Sequence, residues 1–234
     1  MGGAEDRSRT AWSGIGTDPD GDLVHVFHTS EVRWFAVGPL PLAVQDWFTS
    51  GGTVGRVEDR HDTYQLHGLN EIGAKRRDRG TLEVKVRRTL GDTVVLGHGL
   101  EGRLEEWSKW DPGEGVGIWQ SPDAPWIDVR KVVFTRSFMP TDQEIILPAN
   151  HRVRLFAGCD IEVAAVTVDG IETWTLALEA FGPDTGRLRA LMSAWGTLLA
   201  RSPLSIDFGS SFDRACGYPE WLDFVISQGF ETKS

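Results

Sequence analysis

The run Leu82-Glu83-Val84-Lys85-Val86-Arg87 alternates apolar and charged side chains, a pattern few folds can accommodate. Successive side chains of a β-strand point to opposite faces, so Glu83, Lys85 and Arg87 share one face and Leu82, Val84 and Val86 the other. The preceding segment reads as a partner strand ending in the loop Asp78-Arg79-Gly80, with Gly80 supplying the positive φ such a loop needs. That loop sets Lys75 opposite Glu83 and Arg77 opposite Thr81. Lys75, Arg77, Glu83, Lys85 and Arg87 then gather on one face. An open antiparallel sheet with one solvated face satisfies this pattern, and so does a closed barrel with a charged interior.

Composition narrows the options. The chain has 234 residues and 40% hydrophobic content, enough for a sizeable core. Its formal net charge of −10 repels a phosphate backbone, so nucleic acid is not the expected partner. No apolar run reaches the length of a membrane span, and Met1 to Arg9 lacks the apolar centre of a leader peptide. A cytoplasmic protein with no membrane partner is expected. Cys159 and Cys216 stand far apart without CxxC spacing, which signals neither a zinc site nor a disulfide scaffold. Ten tryptophans suit barrel walls and helix contacts.

Residues 1–21 are rich in Gly, Asp, Ser and Arg and are expected to form a flexible arm, leaving 22–234 as one domain. Asp18, Asp20 and Asp22 have the spacing that opens a calcium loop, but Thr29 stands where the closing Glu belongs, so a turn is expected. Strand character runs from Leu23 through Val37. Leu40, Val44, Trp47 and Phe48 define a short helix. Further strands are expected near Val54–Arg60, Thr63–Leu66, Ile72–Arg77, Leu82–Arg87, Thr93–Leu96, Arg103–Trp110, Val129–Phe138, Arg152–Phe156, Asp160–Val168 and Glu172–Phe181, with Asp169-Gly170 turning the last hairpin. Leu188, Leu191, Met192, Trp195, Leu198 and Leu199 form an apolar stripe on a helix opened by Asp184 or Thr185, and Pro219 to Gln228 forms another. Both helices are expected as buttresses outside the strands.

Gly97-His98-Gly99-Leu100-Glu101-Gly102 fits a phosphate-loop pattern, but a strand follows it where that chemistry needs a helix N-terminus. It reads as a hairpin loop. The six histidines lack metal spacing, and Ser210-Ser211 lacks a nucleophile elbow. Strand parity is more informative. Arg103, Glu105, Trp107 and Lys109 share a face, as do Asp160 and Glu162, and Glu179 sits among Thr175, Ala177 and Phe181. With both faces of many strands claimed, the expected fold class is α+β, mainly β: a closed antiparallel barrel with peripheral helices. Charges in its lumen must pair or bind something.

Tyr64, Lys75-Arg76-Arg77, the Leu82–Arg87 strand, Arg103-Leu104-Glu105-Glu106, the Glu162 strand, Leu176 to Gly182 and Tyr218-Pro219-Glu220-Trp221-Leu222 resemble a divergent CYTH domain, the triphosphate tunnel metalloenzyme superfamily, over roughly residues 25 to 225. The resemblance implies an eight-stranded tunnel whose cations hold a triphosphate while glutamates hold Mg²⁺ or Mn²⁺. On that mapping Lys75, Arg77, Lys85, Arg87, Arg103, Lys131 and Arg33 would bind substrate, with Lys109 a further possibility. Glu31, Glu83, Glu162 and Glu179 would bind metal, and Glu179, Glu105 and Lys85 would serve catalysis. The family's opening Glu-x-Glu-x-Lys signature is degraded here to Glu31-Val32-Arg33-Trp34-Phe35. Three functions are open, the first being the expected one and the third a structural domain whose lumenal ion pairs merely satisfy one another. The first is a metal-dependent phosphohydrolase acting on a triphosphate or other polyphosphate. The second is an altered tunnel protein that binds an anionic small molecule, partly aromatic and gripped by Lys/Arg and Trp107, without triphosphatase activity.

Overall fold

In the computed structural model, which describes residues 15–17, 23–50, 55–77, 82–111, 123–140, 144–145, 157–204, 206–209 and 211–231, the alternating segment lies in the wall of a closed barrel. The elements in chain order are β1 (Ile15–Thr17), β2 (Leu23–Val37), α1 (Leu42–Ser50), β3 (Arg56–Gln65), β4 (Ile72–Arg77), β5 (Leu82–Gly97), β6 (Leu100–Asp111), β7 (Trp126–Phe138), β8 (Glu144–Ile145), β9 (Gly158–Val168), β10 (Ile171–Phe181), α2 (Asp184–Arg201), β11 (Arg214–Ala215) and α3 (Tyr218–Glu231). Eight of the strands run β2-β10-β9-β7-β3-β4-β5-β6, and β6 pairs back to β2 to close the ring, every pairing antiparallel. Closure leaves the barrel no open edge. No helix among the described residues is long and apolar enough to cross a membrane.

Two strand readings change. Val54–Arg60 and Thr63–Leu66 are one strand, β3, because Arg60 and Asp62 face the lumen, where they find partners, and do not break the ladder. Leu82–Arg87 and Thr93–Leu96 are likewise one strand, β5, carried across register shifts between Arg87 and Thr89 and between Leu90 and Thr93. Within residues 1–21, Ile15–Thr17 pairs with Leu23–His25 as β1, while Arg152–Phe156 and the loop Asp78-Arg79-Gly80 lie outside the described residues. Asp169 and Gly170 turn the last hairpin with φ of 47° and 79°, the left-handed pair a two-residue turn demands. Gly97, His98 and Gly99 form a hairpin loop, all at positive φ.

The outer face is apolar under the helices. Trp34, Trp174, Leu176, Leu178, Ile161 and Val163 pack against Leu191, Ala194, Trp195 and Leu198 of α2, with Trp47 and Phe48 of α1 completing the layer. The α2 stripe is narrower than its sequence spacing suggests, since Leu188 and Met192 remain exposed.

The inner face divides in two, and here α3 departs from the expected buttress. Its Tyr218, Trp221, Leu222 and Val225 pack on Phe35, Tyr64, Val129, Val133, Ala164, Val166 and Val168. These wall residues share strand parity with Arg33, Lys131 and Glu162, so α3 fills one end of the barrel. Trp221 stacks on Phe35 with centroids 4.7 Å apart, and Tyr218 stacks on Tyr64 at 5.5 Å. The chain reaches this position through a seam. β6 leaves β2 after the Glu31–Glu105 pairing, and β11 takes its place against Trp34 and Phe35. Gly217 then passes so close to the lumenal wall that a Cβ would lie 2.8 Å from Glu105 Oε2 and 2.9 Å from Trp107, which only glycine avoids.

Candidate functional site

Strand register sets the lumenal charges in rows. Glu31 of β2 faces Glu105 of β6 on one side and Glu179 of β10 on the other, and Glu179 faces Asp160 of β9. Four carboxylates thus stand on adjacent strands of one wall, an arrangement that repels itself unless cations intervene. They do. Arg87 bonds Glu105 at 2.8 Å, Lys109 bonds Glu179 at 2.6 Å, and Lys85 lies 3.3 Å from Glu31. Ser137 donates to Asp160 at 2.6 Å. Arg33 reaches from β2 to Glu31 at 2.7 Å and to Glu162 at 3.0 Å.

Apart from Arg33, the cations stand on β6 itself and on the strands beyond it. Lys85 of β5 and Lys109 of β6 are register partners, and Lys75 of β4 faces Glu83 in the predicted register, paired at 2.9 Å. Deeper, Lys131 lies 3.0 Å from Asp62, donates to the Tyr64 hydroxyl oxygen at 2.6 Å and sits 3.7 Å over the Tyr218 ring. Lys131 and Asp62 are both fully buried.

The electrostatics follow this layout. Burial pushes the Glu31 carboxyl up, but Lys85, Arg33 and Lys109 outweigh it and hold the group well below its usual range. Burial also opposes ionisation of Glu162, and Arg33 and Arg60 prevail, leaving it at about 2. Asp62 is held at about 2 against its burial, chiefly by Lys131 and Lys75. Two carboxyls at the ends of the acidic row go the other way. Burial raises Glu105, with Glu31 adding to it, and burial raises Asp160 to about 6, with Glu179 adding and Ser137 opposing. Desolvation lowers Lys131 well below the ordinary ammonium value.

The structure therefore brings together Glu31, Arg33, Lys75, Glu83, Lys85, Arg87, Glu105, Lys131, Glu162 and Glu179. Lys85 and Glu179 are linked through Glu31, which pairs with the first and stands in register with the second. Arg77 stands apart at the rim, 43% exposed and 3.7 Å from Asp62. Arg103 is outside the site, because β6 has already left the barrel there: it pairs with Thr93 on an exposed hairpin extension that folds over the outer face, where Glu101 accepts from Trp34 Nε1. Trp107 is fully buried, donates to Glu105 and has Lys85 4.2 Å from its ring centre, so it offers no free stacking face. The sequence reading missed Arg60 and Asp62 by splitting β3, although both share parity with Tyr64. It did not foresee Tyr218 in the lumen at all.

Depth separates the pairs. In two pairs the carboxylate is the more exposed partner, Glu83 at 30% against Lys75 at 15% and Glu179 at 26% against Lys109 at 11%, whereas Lys85 at 13% is more exposed than Glu31 at 1%. Toward α3 the ions are sealed. A resident divalent cation does not fit this donor set, since the row's glutamates already spend oxygens on guanidinium or ammonium groups, and among the described residues no three carboxylate, imidazole or thiolate groups converge as a metal site.

No family model matches the chain, and no curated protein matches it. Among solved structures it is similar to the PH1819 protein from Pyrococcus horikoshii OT3, at 12% identity over 85% of this chain and 99% of that one, with a TM-score of 0.40.

Proposed function

We propose that the protein is a CYTH-like tunnel protein of altered chemistry that binds an anionic, phosphorylated small molecule in the accessible half of the barrel, without a divalent cation and without hydrolysing it. One observation carries the reading: in two pairs, Lys75 with Glu83 and Lys109 with Glu179, the lysine lies deeper than its carboxylate. Glu83 and Glu179 can swing into water while Lys75 and Lys109 stay inside, so an entering anion exchanges one partner for another with little desolvation cost. The degraded opening signature supports the loss of metal chemistry. Arg33 takes the second carboxylate position and bonds the first, and Phe35 at the lysine position is committed to the α3 plug.

Titration calorimetry with tripolyphosphate in chelator-containing buffer tests this. Binding is expected without metal, weakened about tenfold or more by Lys75→Ala or Lys109→Ala. Phosphate release that requires Mg²⁺ or Mn²⁺ would return the protein to the hydrolases, and absence of binding under both conditions would leave the lumenal ions as mutual partners only.

A further inference from the structure

The acidic row raises a question the anion does not answer: what holds buried carboxylates from separate strands together. Arg33 and Glu162 both face Ala177 of β10, one from each side. Ala177 is fully buried and its methyl group leaves the space above the strand open. Through that space the Arg33 guanidinium crosses from β2 to β9, with Nε on Glu31 Oε1 at 2.7 Å and Nη1 on Glu162 Oε1 at 3.0 Å, and Thr175 Oγ1 at 3.5 Å beneath it. Tyr218 of the plug faces the same guanidinium, its ring centroid 4.8 Å from Cζ. Glu179 stands next in the row, in register with Glu31.

We propose that Arg33 is a built-in counter-ion occupying the place where a divalent cation would otherwise bridge Glu31 and Glu162, and that this single side chain keeps the lumen free of metal. A guanidinium is permanently charged, forks toward two carboxylates at once and cannot dissociate from the chain. It supplies the charge compensation of a bound ion while leaving no ligand position vacant. Hard divalent cations are held by carboxylate oxygens together with water, and Glu31 and Glu162, both bonded to Arg33, supply the oxygens a vacated Arg33 position exposes. The inference deepens the metal-free reading of the lumen and rests on it, but it is tested with Mn²⁺ alone, so its failure is separable from failure to bind an anion.

Free Mn²⁺ is counted by electron paramagnetic resonance during titration of the wild-type chain, Arg33→Gln and Arg33→Met. The wild type is expected to show no saturable binding at millimolar Mn²⁺. Both variants gain a saturable site, lost again on adding Glu162→Gln, and Mn²⁺ raises their melting temperature but not that of the wild type. Saturable binding by the wild type overturns the proposal, and so do folded variants that bind nothing. If both variants are unfolded in metal-free buffer, recovery of the folded state on adding Mn²⁺ supports it, and no recovery overturns it.

Discussion

The two ends of the barrel solve the problem of a filled lumen in opposite ways. At one end α3 inserts aromatic side chains against an apolar wall, with Trp221 and Phe35 stacked and nearly inaccessible. At the other end charged residues of both signs face each other and retain partial access to water. The first arrangement gains from buried apolar area and contributes to folding. The second gains little, because partly exposed ion pairs contribute at most about 1 kcal/mol each, and desolvation offsets much of the attraction in the deeper ones. The two ends therefore differ in what they contribute to folding, the aromatic end more than the charged one.

Removing the plug's anchor should break this contrast most clearly. Trp221→Ala leaves a cavity in a fully buried aromatic stack and is expected to cost about 3 to 5 kcal/mol in urea unfolding. Unfolding that is unchanged would mean that α3 rests on the barrel without holding it.

How much of this was legible beforehand divides along the same line. The alternation in Leu82–Arg87 announced a two-faced strand, and the Lys75–Glu83 register followed from the loop that joins them. Closure was legible because so many strands had both faces claimed. The plug was not, since an amphipathic helix has the same spacing whether its apolar face meets the outside of a barrel or its inside. Only the glycine at 217, placed ahead of the helix where the chain crosses Glu105 and Trp107, hints at the passage, and its meaning depends on contacts distant in sequence. The site was half visible. Parity identified which charges share a face, but not that β6 leaves the wall before Arg103, nor that Glu31, Glu162 and Glu179 each meet a lysine or arginine from another strand as Glu83 does.

A smaller effect sharpens the comparison through pH. Asp160, with its pKa raised from 3.8 to about 6, keeps a proton in the folded state that the unfolded chain releases between those values. Its contribution to stability therefore grows as pH falls from 7 through 6 and is complete below about 4, amounting to about 1 to 3 kcal/mol. Glu162 and Asp62, held at about 2, act with the opposite sign: their contribution is present above the unfolded carboxyl value and is lost as pH falls through 2. His28 and His67, both lowered by burial, lose stability as pH falls and oppose the rise, so the Asp160 contribution is read as the difference between the wild type and Asp160→Asn, which should grow from pH 7 to 5. Urea unfolding of both chains across this range checks it, and a difference that does not change from pH 7 to 5 would contradict the assignment.

The smallest stability effect carries the most information about function. Glu179→Gln at the mouth removes a carboxylate 26% exposed and leaves the buried Lys109 in the fields of Glu31 and Glu83, so unfolding should change by about 1 kcal/mol. Its effect on ligand is expected to run against that of a metal ligand. In a metal-dependent hydrolase this substitution would weaken cation binding and turnover. In a lumen where the carboxylate competes with the ligand for Lys109, losing it removes the competitor, and tripolyphosphate should bind about two- to fivefold tighter, the free-energy scale of one partly exposed ion pair. Calorimetry of Glu179→Gln beside Lys109→Ala reads this directly. Opposite shifts identify the pair as a displaceable gate, whereas parallel losses would make Glu179 part of the grip itself.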